Sequence, residues 1–136
     1  MFFLNKDLAN EIIAHLKDEV PNEGCGILAG IISDDGKKAI KSFPMKNQDA
    51  SSQKFFMEPQ EQFKVMKTIR NEKLEMVGIY HSHPETDAYP SAHDVELAFY
   101  PEVSYLVISF KDENEPAIRS FRIIDGKIEE EKIISE

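Results

Sequence analysis

A chain of 136 residues is long enough to bury a real core and too short to bury two, so one domain spanning residues 1–136 is expected. Asp plus Glu number 25 against 16 Lys plus Arg, a formal charge of -9 with no basic stripe, which disfavours nucleic acid and anionic membrane surfaces as partners. One cysteine excludes an internal disulfide and fits a reducing compartment, and no apolar run approaches the roughly 20 residues of a membrane-spanning helix, so a cytoplasmic location is expected.

Asn5 is placed to cap a helix from about Lys6 to Asp18, in which Leu8, Ile12 and Leu16, flanked by Ala9 and Ile13, form one apolar stripe. His15 lies beside that stripe and reads as a core-edge or half-exposed histidine. Val20 precedes Pro21 and is pushed toward extended geometry, which ends the helix and leaves Glu23 at the mouth of the next element. That element, about Cys25 to Ile32, is apolar on both faces and reads as a buried strand in which Cys25 acts as a small hydrophobe. Ser33-Asp-Asp-Gly36 is a turn signal into a second strand through about Met45, with Pro44 marking an edge or a strand end.

From Lys46 to Lys54 every residue except Ala50 is polar or charged, the composition of a surface loop that is either mobile or a clamp for a partner. Phe55 to Met57 is expected as a short strand. Pro59, at the first helical position, then opens a helix with Phe63, Met66 and Ile69 buried.

Met76 to Tyr80 is a near-continuous apolar run, a buried strand that feeds His81-Ser-His-Pro84. Residues i and i+2 of an extended chain sit about 6.6 Å apart with parallel side chains, so His81 and His83 can converge on one ion while Ser82 faces away. Pro84 ends the strand. Ser91 then opens a helix expected from Ala92 to Tyr100, with Pro101 as its stop, and Asp94 in the first turn can point back at the strand end.

By itself Ser91-x-x-Asp94 is a capping box, and an isolated His-x-His is common on exposed strands. The combination is what points to a metal. Two nitrogens and one carboxylate oxygen leave a tetrahedral zinc with one position open to water, the arrangement of catalytic sites. His93 abuts Asp94, but adjacent helical positions diverge by about 100°, which makes it an exposed or supporting residue and not a fourth ligand.

Further on, Val103 to Phe110 is a β-rich run, and Ala117 to Ile124 with Lys127 to Ile134 reads as a hairpin around Asp125-Gly126. The order of elements implies an α/β fold, a mixed β-sheet flanked by helices.

The full set, Glu23, then His81-x-His83, seven residues from Pro84 to Pro90, and Ser91-x-x-Asp94, resembles the signature of the JAMM (MPN-plus) zinc metalloproteases with every position filled. Pro21-Asn-Glu-Gly-Cys-Gly-Ile-Leu-Ala-Gly30 and Gly78-Ile-Tyr-His-Ser-His-Pro84 are similar to the small prokaryotic members, and the likeness covers nearly the whole chain. It implies the MPN, cytidine-deaminase-like architecture, one catalytic Zn2+ on His81, His83 and Asp94, Glu23 as general base, and Ser91 as hydrogen-bond donor to the oxyanion. The substrate it implies is a ubiquitin-like or sulfur-carrier protein with a Gly-Gly tail, cut at the amide or isopeptide bond after that tail.

Other readings fit less well. A nucleoside deaminase needs an HxE and a PCxxC pair, which one cysteine cannot supply. A cupin needs a following glutamate and a later histidine that are not found at a suitable spacing. The RadC-like group, associated with DNA repair, has a similar HxHP and SxxD pattern, but the acidity and the missing helix-hairpin-helix extension speak against it. A non-catalytic MPN scaffold would be expected to have lost ligands, and none is missing.

Overall fold

The computed structural model describes residues 1–136, and its helices start where the capping residues stand. The Asn5 side chain accepts a hydrogen bond from the Leu8 N–H at 2.8 Å, opening α1 (Lys6–Glu19), and Leu8, Ile12 and Leu16 are its buried residues. Ahead of it lies β1 (Phe2–Leu4), a three-residue strand that the sequence did not signal; after it come β2 (Cys25–Ser33), β3 (Gly36–Met45), α2 (Pro59–Asn71) and β4 (Glu75–His83). The chain continues through α3 (Ala92–Glu96), β5 (Ser104–Ser109), β6 (Ala117–Ile124), β7 (Lys127–Glu131) and β8 (Ile133–Ser135).

All eight strands form one mixed sheet in the order β7-β6-β5-β4-β2-β3-β1-β8, flanked by the three helices, as the expected α/β class requires. β7 and β8 stand at opposite ends of that order, yet only Lys132 separates them in sequence. A flat sheet of eight strands would be roughly 34 Å wide, far beyond the reach of one residue, so the sheet must curl until its edges approach. The Phe2 N–H accordingly donates to the Lys132 carbonyl at 2.9 Å. This curl also splits the expected strand Lys127 to Ile134 into two that pair with different neighbours. The β6–β7 turn is as expected, with Asp125 and Gly126 both at positive φ.

The two faces of the sheet carry separate cores. On one, α1 covers Phe2, Leu28, Val77, Tyr80 and Leu106; on the other, α2 and the segment after α3 cover Ile27, Met45, Ile79, Tyr105 and Ile123. A β-bulge decides which face the histidines take. Leu28 pairs with Gly78 but Ala29 with Met76, leaving Val77 as the extra residue of β4. Without that insertion, strict alternation would carry Ile79, His81 and His83 to the α1 face together with Val77. Gly26 is needed opposite Tyr80, because a Cβ there would run into the phenol ring.

Three expectations are corrected. Phe55 to Met57 is not a strand: Met57 makes one isolated antiparallel bridge to Asn47, since the Phe56 N–H is taken by the Asn47 side chain. Helix α3 stops at Glu96, four residues short, as the Ala98 N–H tightens onto the Val95 carbonyl and the Tyr100 N–H turns to the Tyr105 hydroxyl. Phe63 is 69% exposed and Met66 only half-buried, while Ile69 is buried as expected. The inward stripe of α2 is Gln62, Val65, Met66 and Ile69, with Val65 and Ile69 in the core, and on the flank of the helix Glu61 accepts from the Lys46 N–H just after β3 while Glu72 pairs with Lys41 of β3. No helix is long and apolar enough to cross a membrane.

Candidate metal centre

Alternation after the bulge sends His81 and His83 to the α2 face at the very end of β4, where both are buried. Their Nε2 atoms lie 3.1 Å apart. Asp94 arrives from α3 with Oδ2 at 3.0 Å from the His81 Nε2 and 3.1 Å from the His83 Nε2. The capping box that the sequence spelled is also present: the Asp94 N–H donates to Ser91 Oγ at 3.1 Å, and the Ser91 N–H donates to Asp94 Oδ2 at 2.8 Å. Capping and convergence on the histidines therefore coexist, for the cap is what aims the carboxylate. Ser91 Oγ uses a lone pair in that cap and keeps its own O–H free to donate.

Glu23, 3% exposed at the approach to β2, completes a group of four whose ligand atoms all lie within 4.8 Å of one another. Its Oε1 is enclosed without a hydrogen-bond partner. The His83 Nδ1 lies 2.9 Å from the Asp87 carbonyl, an acceptor only, so Nδ1 carries the proton and Nε2 presents a bare lone pair to the cluster.

These residues fit a metal ion. Ligand atoms 2.0 to 2.1 Å from a tetrahedral zinc sit roughly 3.3 Å from each other, close to the triangle formed by the two Nε2 atoms and Asp94 Oδ2. One proton could serve at most one side of that triangle, whereas a cation answers all three. The electrostatics agree. Burial works against the Asp94 charge, but the two imidazoles in contact with it and the Ser91 N–H outweigh it and hold the carboxyl well below the usual range. Burial lowers His81, while in His83 the Asp94 carboxylate and the Asp87 carbonyl overcome burial and raise it. The site draws positive charge to where the lone pairs meet. Burial, reinforced by Asp94 and opposed by His83, pushes the Glu23 carboxyl up to about 8.

Three residues that hold this arrangement were missed in the sequence. Ser82 faces away from the histidines as alternation predicts, and there its Oγ accepts from the Gly24 N–H at 2.8 Å, tying β4 to the residue after Glu23. Asn47 donates through Nδ2 to the Glu23 carbonyl at 3.0 Å, and the Glu23 N–H donates to the Ser51 carbonyl at 2.7 Å. The polar loop thus grips Glu23 by both backbone groups. Phe55 stacks on the His81 ring, centroids 4.6 Å apart at 25°. A fully enclosed serine between two histidines needs a partner, which was a usable signal; nothing local marks Asn47 or Phe55.

The remaining candidates take ordinary places. His93 is half-buried and outside the group of four. The buried Cys25 has its thiol pushed up to about 12, by burial first and nearby glutamates second, and lies 3.9 Å from the Met45 carbonyl, an unreactive setting. The His15 Nδ1 meets the Tyr80 hydroxyl at 2.8 Å at the core edge.

Beside the cluster a cavity of about 200 Å3 opens between α2 and the segment following α3, bounded by Phe55, Met57, His81, Asp94, Leu97 and Tyr100 and lined by no Lys or Arg. Gln62 bridges to the Tyr100 hydroxyl at 3.4 Å across it.

A family model described as prokaryotic homologs of the JAB domain matches residues 5–124. A CysO-cysteine peptidase of Mycobacterium tuberculosis is 37% identical over 130 residues, covering 96% of this chain and 88% of that protein. A desampylase of Haloferax volcanii is 33% identical over 111 residues, 78% of each chain. A Desulfitobacterium hafniense protein of known solution structure superposes with a TM-score of 0.92 at 40% identity, covering 100% of this chain and 93% of that one.

Proposed function

The chain belongs to the prokaryotic homologs of the JAB domain and is a hydrolase of the JAMM type; from that premise we propose that it is a zinc-dependent peptidase or isopeptidase that cuts the amide bond after the C-terminal Gly-Gly of a ubiquitin-like or sulfur-carrier protein. The observation that carries this reading is the meeting of Glu23, His81, His83 and Asp94 in one enclosed group beside a narrow cavity.

His81, His83 and Asp94 would hold the zinc, with His83 oriented by the Asp87 carbonyl. The ion would supply Lewis acidity, bringing the pKa of water toward about 7 and polarising the scissile carbonyl. Glu23 is the general base: its unpartnered Oε1 takes the proton of the attacking water, and the same carboxyl then returns that proton to the amine as the C–N bond breaks. Burial raises the Glu23 carboxyl, so it keeps a proton it has taken better than an exposed carboxyl does, while the cation beside it would oppose that rise and leave it a carboxylate beforehand. The Ser91 O–H donates to the carbonyl oxygen as negative charge develops on it.

Substrate class follows from shape and likeness together. A cavity this size admits an extended, slender chain, and Gly-Gly is the narrowest available. Phe56 gives its N–H to the Asn47 side chain and its carbonyl to the Gln48 N–H, both on the loop side, so an incoming tail can run along the opposite side of Phe55–Met57 by strand addition. The Lys46 to Lys54 loop is the clamp. The relatives named for a CysO-cysteine bond and for desampylation support carrier adducts, and the group removed here includes a single amino acid such as cysteine.

The test is to incubate the protein with carrier adducts and, separately, with unfolded casein, and to weigh the products by mass spectrometry. Adducts lose mass after the Gly-Gly while casein stays whole. Efficient casein degradation with intact adducts would overturn the reading.

A further inference from the structure

Asn47 lies in a loop of polar residues, where an asparagine is normally solvated, but it is 7% exposed and its amide is saturated. Oδ1 accepts from the Asp49 N–H at 3.1 Å and the Phe56 N–H at 3.0 Å; Nδ2 donates to the Lys54 carbonyl and to the Glu23 carbonyl, each at 3.0 Å. Two donors and two acceptors are the full capacity of the group, and rotating the amide by half a turn would break all four bonds. Three of the partners lie within residues 46–56, the polar loop and the segment that closes it. The fourth is Glu23, 24 residues away in sequence.

The other bonds around Glu23 give this contact its direction. Its N–H has one backbone acceptor, the Ser51 carbonyl, again in the loop. Its side-chain Oε1 has none. The strand ladder begins only at the next residue, where Gly24 exchanges hydrogen bonds with Ser82. Glu23 is thus held on its far side by β4, and at its own peptide groups by the loop alone. The other end of the loop is Phe55, which stacks on His81, with Phe56 and Met57 in the cavity wall.

We propose that Asn47 is the positioning residue of the general base, coupling the order of the 46–56 loop to the placement of the Glu23 carboxylate. The proposal rests on the reading of Glu23 as base. An ordered loop, closed against a chain in the cavity, holds the Glu23 backbone by two hydrogen bonds and sets its side chain toward the histidines; an open loop releases both at once. A displacement of about 1 Å at a reacting group is enough to cost on the order of 10²-fold in rate.

Asn47→Asp keeps both acceptor contacts and replaces the donor by an anion facing two carbonyls. In this variant kcat on a carrier adduct falls by about 10- to 100-fold while KM changes less than about threefold, and metal content by elemental analysis stays at the wild-type level. In a Glu23→Gln background the same substitution removes no further activity, which a general loosening of the fold would not reproduce. Equal losses with and without Glu23, or an unchanged kcat, overturn the proposal.

Amide hydrogen exchange on the wild-type protein decides the matter without a variant and without activity. The Glu23 amide exchanges in step with those of Asp49 and Phe56, as one opening unit, and faster than that of Gly24. Protection of Glu23 equal to that of the β2 core, with Asp49 and Phe56 exchanging freely, overturns the coupling. If the wild-type protein leaves carrier adducts whole, the functional reading falls and the exchange data still judge the coupling.

Discussion

Glu23 and Glu131 are both glutamates drawn out of solvent, and they differ in what surrounds the carboxylate. Through Oε2, Glu131 of β7 receives the hydroxyls of Ser120 on adjoining β6 and of Ser104 on β5 beyond it, both fully buried, and its Oε1 lies 3.8 Å from the Met1 amino group just ahead of β1, which ties β7 to the far side of the curled sheet. Glu23 keeps an enclosed oxygen without a donor, and its carboxylate comes within 4.8 Å of two imidazole nitrogens and another carboxylate. A carboxylate that accepts from buried donors stabilises. One left unsatisfied costs stability and persists where chemistry uses it. The two residues should therefore separate cleanly, Glu131 moving stability and Glu23 moving turnover.

The largest effect concerns the metal on which the contrast depends. His83→Ala, purified without chelator, is expected to lose stoichiometric metal by elemental analysis and all measurable hydrolysis, and chelation of the wild-type protein should do the same reversibly. Retention of full metal by His83→Ala would remove the histidine pair from the ligand set. Next, Glu23→Gln should lower kcat by about 10²- to 10⁴-fold with metal content and melting temperature near wild type, since the residue is assigned to proton transfer and not to ligation. Undiminished turnover takes Glu23 out of the mechanism.

Ser91→Ala sharpens the comparison because the residue stands on both sides of it. Loss of an oxyanion donor costs about 10²- to 10³-fold in kcat, whereas loss of an N-cap alone costs about 1 kcal/mol of stability; a calorimetric loss with kcat intact would make Ser91 a cap only. Smallest in activity is Glu131→Ala. It should leave kcat within about twofold while the two stranded hydroxyls cost about 1 to 3 kcal/mol, read from urea unfolding. A large fall in kcat for this variant would break the contrast from the other side.

Much of the site was legible because its spacing is local. Alternation put His81 and His83 on one face and Ser82 on the other, and the capping box placed Asp94 one turn from Ser91, as the structure has them. Glu23 was legible only through family likeness, for a glutamate before a strand carries no mark of its own. Asn47 was not legible at all: its four partners come from three stretches of chain, and a polar loop offers no period to read. Phe63 was misread for a related reason. Phe63, Met66 and Ile69 fit a helical stripe nearly as well as Val65, Met66 and Ile69, and only packing against the sheet, where Val65 and Ile69 join the core and Phe63 stays exposed, makes the choice.

The sequence by itself determined the strand that delivers two histidines, the helix start that returns a carboxylate, the α1 stripe and the β6–β7 turn, because each is written within about a dozen residues in periodicity and capping chemistry. Only the tertiary structure decided which face those histidines occupy, since one bulged residue at Val77 reverses the alternation, and that bulge exists only against β2. It alone brought Glu23 to the histidines and the loop to Glu23, through hydrogen bonds between Gly24 and Ser82, 58 residues apart, and between Asn47 and Glu23. Such contacts depend on strand register and on the curl of the sheet, and those are set by packing across the whole core.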